Sequence, residues 1–121
     1  MATKEEISMT GFAIVAYAGD AKTDLIEALN EARKGNFEHA RSLVKEARQS
    51  IDDAHNEQTK LLSKEAGGEN MDVTFIMVHG QDTLMTTMML LDTISFTIDE
   101  YERLVAIEKQ LGIALPTNDI H

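Results

Sequence analysis

Cysteine is absent from this 121-residue chain, so neither a disulfide nor thiol chemistry is open to it. Proline occurs once, at Pro116, which leaves everything before it free of helix-breaking rings. Tryptophan is absent, and aromatic residues make up only 5%. Basic residues are outnumbered: 11 Lys and Arg stand against 21 Asp and Glu, a formal net charge of −10. Such a balance argues against a nucleic-acid backbone as partner and fits a basic protein better. No apolar run approaches the length of a bilayer, and the charged "TKEE" near the start does not resemble a cleavable signal. These absences point to a cytoplasmic protein without direct membrane insertion, long enough for one domain with a real core.

What is present is helical rhythm. Thr3 followed by Glu6 forms a capping box for a first helix. Its apolar positions Ile7, Gly11, Ile14, Ala18, Ala21, Leu25, Ala28 and Ala32 step alternately by four and three. Gly19-Asp20 is a place for a kink or break, and Gly35-Asn36 ends the helix. A second helix from about Phe37 repeats the rhythm through Ala40, Val44, Ala47, Ile51, Ala54 and Leu61, and Gly67-Gly68 stops it. A third runs from about Asp72 to Leu111, a rod of roughly 60 Å at about 1.5 Å per residue. The expectation is an all-α, antiparallel three-helix bundle with a long C-terminal helix, a single domain over 1–112 and a flexible tail over 113–121.

The third helix carries two apolar seams. Leu84, Met88, Leu91, Ile98 and Val105 suit packing on the other two helices. Nearly opposite lie Met71, Phe75, Val78, Asp82, Met85, Met89, Asp92 and Phe96. A helix apolar on opposite sides must be covered on both, and the second seam therefore implies self-association. Asp82 falls within that seam. A polar residue there can specify register or oligomeric state. If three copies met on an axis, three carboxylates would converge, and a hard cation such as Mg²⁺ suits the all-oxygen shell.

His79, Gly80, Gln81 and Asp82 stand in a row at the start of this helix. His79 lies roughly 60° round from Asp82, on the shoulder of the seam. Gly80 weakens the helix by about 1 kcal/mol relative to alanine, and its missing side chain would let another protein's backbone approach the imidazole. Thr83 and Thr86 share the side of His79, and Met77, Met85, Met88 and Met89 lie near, as core filling or as an adaptable docking surface. His39, His55 and His121 have no comparable setting. No nucleophile–base–acid set, glycine-rich phosphate loop or zinc-like spacing is present. What remains is an imidazole on a rigid helix, able to accept a phosphoryl group and pass it on.

The run "MVHGQDTLMTTMML" resembles the signature of enzyme IIA of the lactose/cellobiose (chitobiose) class of the bacterial sugar phosphotransferase system. "GFAIVAYAGDAKTDLIEAL" and "AHNEQTKLL" resemble the same family, over about Glu5 to Gly112. The resemblance implies a homotrimeric nine-helix bundle of three-helix protomers. It also implies a histidine phosphorylated by the histidine-containing phosphocarrier protein, with transfer onward to a cysteine of enzyme IIB. The family histidine corresponds to His79, its axial metal-binding aspartate to Asp82, with one Mg²⁺ shared by three subunits, and its glutamine to Gln81 in a supporting role. One departure stands out: the family's usual second histidine, in H-x-Q-D-H, is Thr83 here. Two other readings compete. A histidine phosphotransfer domain usually carries H-x-x-K-G, which this chain lacks, and a purely structural helical trimer would leave His79 unmodified. Lactose, cellobiose and chitobiose all remain open as the sugar.

Overall fold

The computed structural model describes residues 2–121. It contains three helices and, among the described residues, no strand: α1 (Lys4–Arg33), α2 (Phe37–Ala66) and α3 (Phe75–Gln110). Connections of three and eight residues (34–36 and 67–74) fold them up, down and up. The capping box is formed, with the Thr3 hydroxyl accepting from the Glu6 amide at 3.1 Å and the Glu6 carboxylate accepting from the Thr3 amide at 3.4 Å. Gly35 and Gly68, at φ +88° and +97°, take the left-handed conformation that turns the chain out of α1 and α2.

All eight rhythmic positions of α1 are buried. Alanines dominate the contact between α1 and α2, where Ala18, Ala21, Ala28, Ala32, Ala40, Ala47 and Ala54 are fully buried. Small side chains let the backbones approach, while Ile14, Leu25, Leu84, Ile94 and Ile98 fill the space between all three helices. The central helix is α1, packed along both others, whereas α2 and α3 meet more sparingly. Arg41 of α2 ties them through Glu102 at 2.8 Å and Asp99 at 3.3 Å, and that pairing holds the Glu102 carboxyl below its usual range.

Two features differ from the sequence expectation. Gly19-Asp20 neither breaks nor ends α1, which runs through them; a helix held on its inner face by packing tolerates a glycine on its outer one. The third helix begins at Phe75 rather than Asp72, because Thr74 takes the N-cap and its hydroxyl accepts from the Met77 amide at 3.2 Å. Met71 therefore precedes the helix and is half-buried in a small cluster with Ala2, Ile7 and Leu61, not on the seam. The segment 113–121, expected as a flexible tail, follows α3. It is non-helical, but it returns to the end of α1. There the Asn30 amide exchanges two hydrogen bonds with the Ile120 backbone, at 2.7 and 2.8 Å, and Lys34 meets Asp119 at 2.7 Å.

The inward seam of α3 is buried at Leu84, Leu91, Ile98 and Val105, with Met88 partly so. The second seam is bare in the protomer. Phe75 is 90% exposed, Met89 72% and Phe96 71%, with Val78 and Met85 about half exposed. Ile107 and Leu111 continue it to the end of the helix. So many large apolar side chains along one face, interrupted by Asp82 and Asp92, are unusual on a chain that functions alone.

Candidate functional site

His79 sits in the second turn of α3, one turn beyond the Thr74 cap. Its imidazole is exposed, and among the described residues no side chain hydrogen-bonds to it. Only its backbone carbonyl is engaged, accepting from the Thr83 hydroxyl at 2.7 Å. Both ring nitrogens are thus free to meet an incoming group. The first turn of α3 carries no acidic residue, unlike those of α1 and α2. No first-turn carboxylate therefore offsets the partial positive charge of the helix N-terminus.

Gly80, directly after the histidine, is buried. A Cβ placed there would come within 3.1 Å of the Gly11 carbonyl oxygen and 3.5 Å of the Gly11 Cα and Ile14 Cβ. The space left by the missing side chain is filled by α1. This corrects the expectation that it admits another protein's backbone: the glycine's service is to helix packing within the chain.

Gln81 and His79 lie on opposite flanks of α3, about 200° apart. Gln81 is turned toward α2, where its Oε1 accepts a hydrogen bond from Nε2 of Gln58. Its own Nε2 is buried and unpartnered. Gln58 was not singled out by the sequence reading, although it stands on the buried rhythm of α2 between Ala54 and Leu61. A glutamine at a position that packing would fill with leucine was the available signal. Both amides line a groove with Ile7, Leu61, Met71 and Val78.

Asp82 is exposed on the second seam, between Val78 and Met85. Among the described residues no group of three or more His, Cys, Asp or Glu could hold a metal ion. One carboxylate per protomer fits a hard cation only if copies of the chain bring several together. Thr83 and Thr86 turn their hydroxyls back onto α3, Thr86 donating to the Asp82 carbonyl at 2.9 Å. The methionines divide: Met77 and Met88 pack on the core, while Met85 and Met89 lie out on the seam. His39 pairs with Glu31 at 3.5 Å at the α1–α2 corner, and His55 and His121 are exposed. No helix is long and apolar enough to cross a membrane among the described residues.

Comparison with known proteins bears on the chain as a whole. The family model described as "PTS system, Lactose/Cellobiose specific IIA subunit" matches residues 9–102. A "PTS system lactose-specific EIIA component" of Lacticaseibacillus casei is 60% identical over 110 residues, 91% of this chain and 98% of that protein. Among solved structures, the cellobiose-specific enzyme IIA of Bacillus anthracis superposes with a TM-score of 0.80 at 31% identity, covering 88% of this chain and 95% of the other. A IIA(chitobiose) solved in complex with HPr gives a TM-score of 0.72 at 30% identity, over 82% and 96% of the two chains.

Proposed function

The chain belongs to the lactose/cellobiose-specific IIA family of the bacterial sugar phosphotransferase system, and on that premise we propose that it is a cytoplasmic phosphoryl carrier with His79 as its acceptor. The observation that carries the reading is an exposed imidazole with unengaged nitrogens on a rigid helix, within the run that resembles the family signature. One ring nitrogen of neutral His79 attacks the phosphorus of the phosphohistidine on the phosphocarrier protein. A new N–P bond forms as the donor's N–P bond breaks, and the donor imidazole leaves. In the second step a cysteine thiolate of enzyme IIB attacks the same phosphorus, and the His79 imidazole leaves. No proton need be abstracted from the acceptor in the first step.

The bare seam of α3 supports a homotrimer in which three seams cover one another. In that assembly the three Asp82 carboxylates would hold one Mg²⁺, which supplies charge neutralisation at the axis.

The test is labelling from phosphoenolpyruvate through enzyme I and the phosphocarrier. Wild type is expected to take up one acid-labile phosphate per chain, and His79→Ala none while keeping its helical content. Label that persists in the variant, or that maps to His39 or His55, overturns the assignment.

A further inference from the structure

The imidazole of His79 has no side-chain partner of its own, so its position is inherited from the backbone of the second turn of α3. That turn is held from two sides. Toward α1, Gly80 rests on the Gly11 backbone. Toward α2, Gln81 is tied to Gln58. The first contact resists approach, and the core packing of Leu84 one turn on limits how far α3 rolls about its axis. The second is directional and opposes rolling.

Gln58 is only 9% exposed. Burying an amide at a position that leucine would fill costs desolvation unless it is hydrogen-bonded, and its partner here belongs to the turn that carries the histidine. The leverage is geometric. Side-chain atoms stand about 6 Å from a helix axis, so a roll of about 10° moves them about 1 Å. A displacement of about 1 Å at a reacting atom can cost about 100-fold in rate. Within the chain Gln58 reaches no atom of the imidazole and touches the histidine's turn through its hydrogen bond to Gln81, which is the route by which it acts.

We propose that Gln58 is a positioning residue for phosphoryl transfer at His79, acting through Gln81. The proposal rests on His79 being the phosphoryl acceptor. The buried Nε2 of Gln81, unpartnered in the protomer, provides a means of rescue. A carboxylate at position 58 can accept from that Nε2 and restore the tether with its polarity reversed.

The experiment compares wild type with Gln58→Leu, Gln58→Asn and Gln58→Glu in single-turnover transfer from the phosphorylated phosphocarrier, over a range of carrier concentrations. Leucine fills the volume without a hydrogen bond; asparagine keeps an amide that is one methylene too short. Both are expected to slow transfer at saturating carrier about 10-fold or more, with the half-saturating carrier concentration within about twofold of wild type. Gln58→Glu is expected to recover to within about threefold of wild type. Should leucine fail to fold, the asparagine variant is read in the same way. A folded variant as fast as wild type, a loss confined to the half-saturating concentration, or a glutamate variant as slow as the leucine one overturns the proposal. A wild type that takes up no phosphate overturns the carrier reading and this proposal with it; normal wild-type transfer beside an equally fast Gln58→Leu removes Gln58 alone.

Discussion

Gly11 of α1 and Gly80 of α3 face each other where the two helices pack, so closely that a methyl group on either would press on the other helix's backbone. A Cβ at Gly11 would stand 3.0 Å from the Ile76 carbonyl oxygen and 3.1 Å from the Met77 Cα; one at Gly80 would stand 3.1 Å from the Gly11 carbonyl oxygen. These neighbours are helical backbone and cannot swing aside as a flexible side chain would. The residue next to His79 is therefore fixed by a close helix–helix approach.

Opposite signs are expected from one substitution at different glycines. Alanine at a helical position is worth up to about 1 kcal/mol over glycine. At Gly19, where an added Cβ meets nothing within 4 Å, Gly19→Ala should stabilise the protein by about 0.5–1 kcal/mol. At Gly80 the same change must separate α1 from α3, and overpacking of about 1–3 kcal/mol outweighs the propensity gain. Denaturant melts of both variants decide it. A stabilised Gly80→Ala would mean that the approach of the two backbones is looser than its distances indicate.

Asp82 and the seam are tested together. Three ionised carboxylates on an axis repel unless a cation neutralises them. In the proposed trimer, chelator is expected to lower the melting temperature of the wild type, and added Mg²⁺ to restore it. Asp82→Leu removes the repulsion and joins Val78 to Met85 and Met89 in an unbroken apolar stripe. It should remain trimeric and respond to neither, since exchanging a buried charged cluster for packed hydrophobes is often neutral or better. Light scattering alongside the melts gives the oligomeric state. A monomeric wild type, or a variant trimer that still responds to chelator, would take Asp82 off the axis.

Thr83 marks where this chain departs from the pattern H-x-Q-D-H. Its hydroxyl is committed to the His79 carbonyl, at 2.7 Å, and so points back along α3 instead of out toward a phosphoryl group. An imidazole at this position reaches farther and can donate a hydrogen bond to the transferring group. Thr83→His is expected to speed transfer to enzyme IIB by up to about 10-fold, below the roughly 100-fold that an ideally placed donor contributes. Single-turnover rates that match those of wild type would show that threonine loses nothing.

The C-terminal segment makes a further, independent expectation. Asn30 is buried, and its side-chain amide meets the Ile120 backbone as one strand meets another, accepting at 2.7 Å and donating at 2.8 Å. Arg33 donates to the Asn118 carbonyl at 3.0 Å beside it. Asn30→Ala removes two hydrogen bonds of about 1 kcal/mol each and should cost about 1–2 kcal/mol. Deleting residues 117–121 should cost a similar amount. Because both changes break the same contact, the double variant should be little worse than either alone. Losses that add in thermal melts would show that Asn30 and the tail act separately.

The sequence by itself determined the helices. Burial at every third or fourth residue is a local property of one helical surface, and so the inward faces of α1 and α2 and both seams of α3 were legible from spacing. His79 and Asp82 were legible too, as ionisable residues in an apolar stretch, and their setting on the exposed shoulder and on the bare seam follows from 100° per residue. The start of α3 was misplaced because the apolar residues Met71 and Val73 extend the pattern past the Thr74 cap, whose hydrogen bond to Met77 is what ends it. Only the tertiary structure decided which residues meet. Gly80 against Gly11, Gln81 against Gln58 and Asn30 against Ile120 are pairs between segments far apart in the chain, the last two separated by 23 and 90 positions. Each depends on how one helix is rotated and advanced against another, and periodicity leaves that rotation open. A three-four rhythm says which side of a helix is inside, whereas a polar pair or a missing side chain acquires its meaning only from the particular atom set opposite it.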